Sequence, residues 1–325
     1  MTQLYQYDGD GFVIEQYNDR VPFAGFLPGV AGARGRPAWV FYVNRGQAIA
    51  SFGIEDKDHP ILEYQPANKT YQSIPLTGFR TFIKVVSGSK PGFYEPFSPL
   101  HSSPESSPDL HITANDIMIV EENHAFGLRV QVLYYILPGE PFAALVRQTK
   151  ITNISDTPIT AEVLDGLPAV VPYGVNNTLL KELGRTIEGW MSAQCSQNGP
   201  AFFRVRASIA DSAEVKEILA GNFYLAFNTN GQHLPILVDP ASVFGQDTSW
   251  ITPIPFLSTP LSTLLERRQI TDGRTPCAFS AAAIFGTVAA PVLAQDQIAT
   301  DTWVDPAADP QWTEVAWDEQ SSDTW

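Results

Sequence analysis

Residues 126–137 read FGLRVQVLYYIL and residues 142–153 read FAALVRQTKITN. In the first run Leu128, Val130 and Val132 fall on one side of an extended chain, with Arg129 and Gln131 on the other. That period of two belongs to a strand with one buried and one solvated face. The same mixture of β-branched and aromatic residues recurs in AWVFYVN (38–44), FRTFIKVV (79–86), DIMIVEE (116–122) and ITAEVLDGL (159–167). Breakers stand between these runs: Gly88 to Gly92, SPLHSSPESSPD (98–109), PGEP (138–141) and SDTP (155–158). Strands joined by turns, with no intervening helical pattern, predict an antiparallel meander instead of βαβ units. The segment KITNISDTPITAEVLDGLP reads as a hairpin, turning at Asp156 to Pro158 and returning through Ile159, Ala161 and Val163.

Helical signal is sparse. NNTLLKELGRT (176–186) offers an Asn cap, apolar Leu179, Leu180 and Leu183, and a Gly184 stop. DSAEVKEILAGN (211–222) has an Asp or Ser cap and Gly221 beyond its end, which predicts a second short surface helix. The 325 residues are 44% hydrophobic and only 17% charged, with 23 Gly and 26 Pro, a composition of many turns and a large core. No repeat of fixed period is present.

A net charge of −15 without any basic run argues against nucleic acid, whose affinity comes from Lys and Arg on phosphates. The first residues, MTQLYQYDGDGF, lack the basic and apolar regions of a secretory signal, and no window has 18 uncharged apolar residues, so a cytoplasmic, non-membrane protein is expected. Cys195 and Cys277 read as free thiols in a reducing compartment, and the sequons at Asn68, Asn153 and Asn176 carry no weight there. The histidines (59, 101, 111, 124, 233) form no HxH or HExxH pairing, and no CxxC exists, so no metal is expected. GARG and VNRGQ lack the Lys-Ser/Thr of a P-loop and read as tight turns. Asp116, Glu162, Asp165, Glu182 and Asp239 are available carboxylates, but none is spaced against clustered Arg and hydroxyl groups.

Particular blocks go beyond generic sheet. FLPG, FYVNRGQ and KDHPILE within residues 12–71, then GLPAVVPYGVNNTLLKELGRTIEGWM (166–191), FFRVRASIADSAEV (202–215), LVDPASVFGQDTSW (237–250) and GRTPCAFS (273–280), resemble the N-terminal region of cellobiose-phosphorylase-like inverting phosphorylases. Within that group they are most similar to the β-1,2- and β-1,3-oligoglucan phosphorylases. The resemblance covers roughly residues 10–280. It implies a mainly-β fold, a large antiparallel supersandwich of the galactose-mutarotase-like type with a few short helices, followed in the full enzymes by helical linker and (α/α)6 barrel. The barrel holds the general acid and the site for inorganic phosphate, the co-substrate; no cofactor is implied. After Phe279 the sequence departs from the family pattern, so the expected closing strand is missing and the chain reads as cut off before its barrel.

Two units are therefore expected: residues 1–290 as the supersandwich, and residues 291–325 as an acidic, Trp-containing tail without fixed structure. Residues 301–325 hold seven acidic groups and no Lys or Arg. The resemblance implies a non-catalytic domain of a glycoside phosphorylase, with a β-glucan or oligosaccharide as ligand, and a catalytic-barrel polypeptide or a homodimer mate as partner. The rivals are a stand-alone carbohydrate-binding module and an inactive fragment of a split or frameshifted gene. The loop and helix bearing Tyr173, Asn176, Asn177, Glu182, Arg185 and Trp190 are the candidate substrate-binding residues, because aromatic faces with amide and guanidinium donors suit a sugar's C–H face and hydroxyls. Against this stands the simpler reading that they cap the helix and pack it on the sheet. No residue of the chain is assigned a catalytic role.

Overall fold

The structure, a computed structural model, describes residues 5–9, 11–88, 90–101, 106–195, 199–208, 213–214, 217–286 and 296–303. Strand accounts for 45% and helix for 16%, so the protein is mainly β, and among the described residues its strands pair with one another antiparallel. In chain order the strands are β1 (Tyr5–Asp8), β2 (Gly11–Ile14), β3 (Ala24–Leu27), β4 (Val30–Ala31), β5 (Arg36–Val43), β6 (Ile49–Ile54), β7 (Pro60–Leu62), β8 (Arg80–Ser87), β9 (Gly92–Tyr94) and β10 (Ser106–Ile112). They continue with β11 (Asp116–Asn123), β12 (Leu128–Leu137), β13 (Ala143–Asn153), β14 (Ile159–Leu167), β15 (Met191–Cys195), β16 (Ala201–Val205), β17 (Asn222–Phe227), β18 (Ile236–Leu237), β19 (Ala278–Gly286) and β20 (Asp296–Trp303).

A ten-stranded sheet runs β1-β2-β10-β11-β12-β13-β20-β17-β16-β15. Two five-stranded sheets accompany it, one ordered β18-β19-β14-β8-β9 and one β3-β5-β6-β7 with β4 beside β5. The runs read as strands at 116–122, 126–137 and 142–153 are β11 to β13, which pair in succession beside β10, a strand that starts inside the stretch read as a breaker. The alternation holds, since Leu128, Val130, Val132, Tyr134 and Ile136 of β12 are buried. One continuous apolar core joins the three sheets, from Val132 and Leu145 to Ile83 and Val163 and to Val40 and Phe52. Helices α3 (Pro240–Phe244), α4 (Ile254–Ser258) and α5 (Leu261–Leu265) close a second core over Phe82 and Phe279. Helix α1 (Ala67–Thr77) sets Ile74 against Phe41 and Val43 of β5. Among the described residues no helix is long and apolar enough to cross a membrane.

Four expectations need correction. The segment at 150–163 is not a hairpin, because β13 and β14 belong to different sheets. Asn153 makes the corner: its Oδ1 accepts from Ser155 N–H at 2.9 Å and its Nδ2 donates to Thr157 O at 2.7 Å, turning the chain from one layer to the other. The expected helix at 211–222 is absent among the described residues; Glu217 bridges Ala207 and β17 begins at Asn222, so pairing overrides a weak local helix signal. The chain after Phe279 does continue as a strand, β19, paired with β14 from Ala278 to Gly286. Part of the expected unstructured tail is also a strand. β20 lies between β13 and β17 and supplies the pairing that both would otherwise lack. Residues 287–295 and 304–325 lie outside the described residues.

Candidate functional site

The segment nominated from sequence folds as a cap on the β15–β16 end of the large sheet. Helix α2 (Asn177–Glu182) begins as predicted, with Asn176 Oδ1 accepting from Leu179 N–H at 2.8 Å. A 3-10 turn over Gly184–Trp190 then leads directly into β15. Val175, Leu179, Leu180, Ile187 and Met191 pack with Val171 and Val205 in a small separate core, which is why this polar-looking stretch folds onto the sheet.

This packing divides the six nominated residues. Tyr173 is half-buried and bonded to β16 through its backbone, donating to Phe203 O at 3.0 Å and accepting from Val205 N–H at 2.9 Å. The Asn176 side chain is used by the cap, and Asn177 is only 3% exposed. Glu182, Arg185 and Trp190 remain on the surface, Trp190 at 40% exposure. The six therefore do not converge as one set.

Beside them lies a feature the sequence reading missed. A cleft of about 370 Å³ opens at the edge of the large sheet between β15, β16, the 271–272 segment and Glu217. β15 and β16 pair with Ser192 opposite Arg204 and Gln194 opposite Phe202. Inward residues Ala193, Phe203 and Val205 enter the cores, so Ser192, Gln194, Phe202 and Arg204 take the outer face. Arg204 is braced by Ile218 O at 2.6 Å and by the Glu217 carboxylate at 3.8 Å, while Arg206 donates to Gly189 O at 2.7 Å. Asp272 reaches the cleft because its backbone bridges Ser192, with Ala193 N–H donating to Thr271 O at 2.8 Å. Two arginines at alternate positions of FFRVR were the legible signal, since a strand places both on one face. Asp272, some seventy residues further along, had none.

Two charged networks lie inside the fold. Arg147 on β13 crosses the sandwich to Asp165 on β14, both fully buried, with Thr149 Oγ1 donating to Asp165 at 2.8 Å and Thr81 Oγ1 at 2.6 Å. Gln47, in the β5–β6 turn, bonds to both Arg147 and Thr81, so one knot joins all three sheets. Burial, the largest single effect, would lower the Arg147 pKa, but the facing Asp165 carboxylate and the Tyr134 hydroxyl together outweigh it and hold the guanidinium above its ordinary value. The second network pairs Arg80 with Glu95 through both carboxylate oxygens, at 2.6 and 2.9 Å, with His101 Nδ1 2.8 Å from Glu95. Arg80 also donates to the carbonyls of Trp250 and Ile251, pinning the loop that precedes α4.

Among the described residues no group of three His, Cys, Asp or Glu side chains is placed to hold a metal ion. No family model matches the chain, and no curated protein matches it significantly.

Proposed function

We propose that this chain is the non-catalytic β-sandwich domain of a cytoplasmic glycoside phosphorylase acting on β-linked glucans. It belongs on this reading to carbohydrate metabolism, and a barrel-bearing polypeptide supplies the chemistry and the site for inorganic phosphate. The observation that carries the reading is the spatial coherence of the resembling blocks within an antiparallel sandwich. FLPG, FYVNRGQ and KDHPILE are 30 or more residues apart in part, yet their strands β3, β5 and β7 lie in one five-stranded sheet with β6. The 166–191 block forms the cap at the end of the large sheet, where α2 and the 3-10 turn present Arg185 and Trp190 to solvent.

A second reading, a stand-alone carbohydrate-binding module, is favoured by the polar cleft beside Trp190. One experiment separates them from an unrelated role. Affinity electrophoresis in gels containing β-1,2- or β-1,3-glucan is run beside an assay for glucose 1-phosphate with oligosaccharide and phosphate. Retarded migration without glucose 1-phosphate release supports the proposal. Unretarded migration in every glucan overturns it, and release by the chain alone overturns its non-catalytic part.

A further inference from the structure

We infer that the cleft at the β15–β16 edge is a saccharide-binding site, with Arg204 and Arg206 as its donors and an aromatic row on the same sheet face carrying the next sugar unit. Four charged side chains line it, Arg204 and Arg206 against Glu217 and Asp272, so its formal charge is zero. A phosphate or nucleic-acid site would carry net positive charge, and the protein as a whole stands at −15. The remaining lining residues are Ser192, Gln194 and Thr271, with Ala193 the one apolar residue. Donor and acceptor residues thus both line a cavity of about 370 Å³, within the usual range of about 300–1,000 Å³ for small-ligand sites. Neutral ligands whose groups both donate and accept fit such a lining, and a pyranose has one on nearly every carbon.

The guanidinium groups are held in place before any ligand arrives. Each spends one donor on a backbone carbonyl, Arg204 on Ile218 and Arg206 on Gly189, which fixes the plane from which the other N–H groups project. A fixed fork loses less rotamer freedom on binding than a free side chain. The Arg206 amide also donates to Trp190 O at 3.0 Å, so this tryptophan, 40% exposed, stands at the rim.

A second, independent observation is the aromatic row. The register sets Gln194 opposite Phe202, and Phe202 opposite Phe223 on β17, so all three share the outer face. The rings of Phe202 and Phe223 are 6.2 Å apart, and Phe142 meets Phe223 edge-on at 5.6 Å. Polar edge followed by half-buried rings matches a saccharide chain, whose rim of hydroxyls surrounds apolar C–H faces.

The inference rests on the proposed function only for the linkage of the probe, and its test is separable. Isothermal titration and 15N-resolved NMR with β-1,2- and β-1,3-linked glucose oligosaccharides are applied to the intact chain. Arg206→Ala, Gln194→Ala and Asp272→Asn are each expected to weaken binding roughly tenfold while leaving the thermal midpoint unchanged. Phe202→Ala should weaken the trisaccharide more than the disaccharide, and Phe26→Ala, on a different sheet, should change nothing. If Arg206→Ala misfolds, the exposed Gln194→Ala and Asp272→Asn still decide. Binding undiminished in all cleft variants overturns this site and leaves the proposed function standing; no binding by the unmodified chain overturns both. Amide shifts around Arg206 with inorganic phosphate but none with sugar would make it an anion site and refute the inference.

Discussion

Asp165→Ala is the most discriminating perturbation of the fold, because it leaves Arg147 charged, fully buried and without its carboxylate. Removing one member of a buried pair costs about 3–5 kcal/mol, mostly the desolvation of the survivor. The same change strips Thr81 and Thr149 of their acceptor, so the upper end of that range applies. At about 2–4 °C per kcal/mol for a large domain, the thermal midpoint should fall by roughly 10 °C or more. Arg147→Met combined with Asp165→Leu removes both charges and should recover most of the loss, since apolar replacement of a whole buried pair is often neutral. Urea denaturation followed by circular dichroism and tryptophan fluorescence completes the cycle, with an expected coupling above about 3 kcal/mol. Two single variants that each cost under 1 kcal/mol and simply add would refute the idea that this pair joins the sheets.

Two further outcomes follow from single residues. Burial pushes the Glu121 carboxyl up from its usual 4.5, against hydrogen bonds from Tyr94 Oη and Phe97 N–H that pull it down. The folded protein then holds this proton more tightly than the unfolded chain, so the Glu121 contribution is fully present below about pH 4.5 and is lost as pH rises through the folded value. The stability of the natural protein minus that of Glu121→Gln should therefore fall between pH 4 and 7 in urea titrations; a rising difference would reverse the sign argued here. Gly166→Ala, at φ +154, places a methyl 1.9 Å from the Ala278 carbonyl oxygen on the paired strand. Strain and overpacking together should cost about 3 kcal/mol or more, and an unchanged denaturation midpoint would show that the β14–β19 ladder yields.

Local pattern and pairing differ in how far they were legible. β12 and β11 stand where alternation placed them because each strand's own side chains decide which face is buried. Which sheet a strand joins is not local, and so Asp156 to Pro158 looked like a hairpin turn although the chain there, held by Asn153, makes the corner between two layers. That difference matters to function: a hairpin would have put Arg147 and Asp165 side by side in one sheet, whereas the corner sets them face to face across the core. α3, α4 and α5 went unread because each is five residues long, too short for a helical period, and is held by Phe244, Phe256 and Leu264 against the sheet. β20 was misread for its composition, since acidic residues in the sequence DQIATDTW outweighed the alternating Ile298 and Thr300 that suit a strand.

Three of the five carboxylates singled out from sequence, Asp165, Asp239 and Glu162, are engaged in contacts that hold the fold. Asp165 is locked in the dry knot between the layers, and Asp239 caps α3 through Ala241 N–H at 3.1 Å while pairing with Arg274 at 2.9 Å. Glu162 holds Lys84 at 2.6 Å and accepts from Leu261 N–H at 3.1 Å, tying β14 to α5. A carboxyl engaged in this way is poorly placed to protonate a leaving group, because losing or gaining its proton breaks a fold contact. The carboxylates of the cleft are different: Glu217 and Asp272 are exposed, and their partners are side chains and backbone at the open edge of a sheet. Ionic groups inside this sandwich therefore orient its layers, whereas Glu217 and Asp272 line the cleft at the β15–β16 edge.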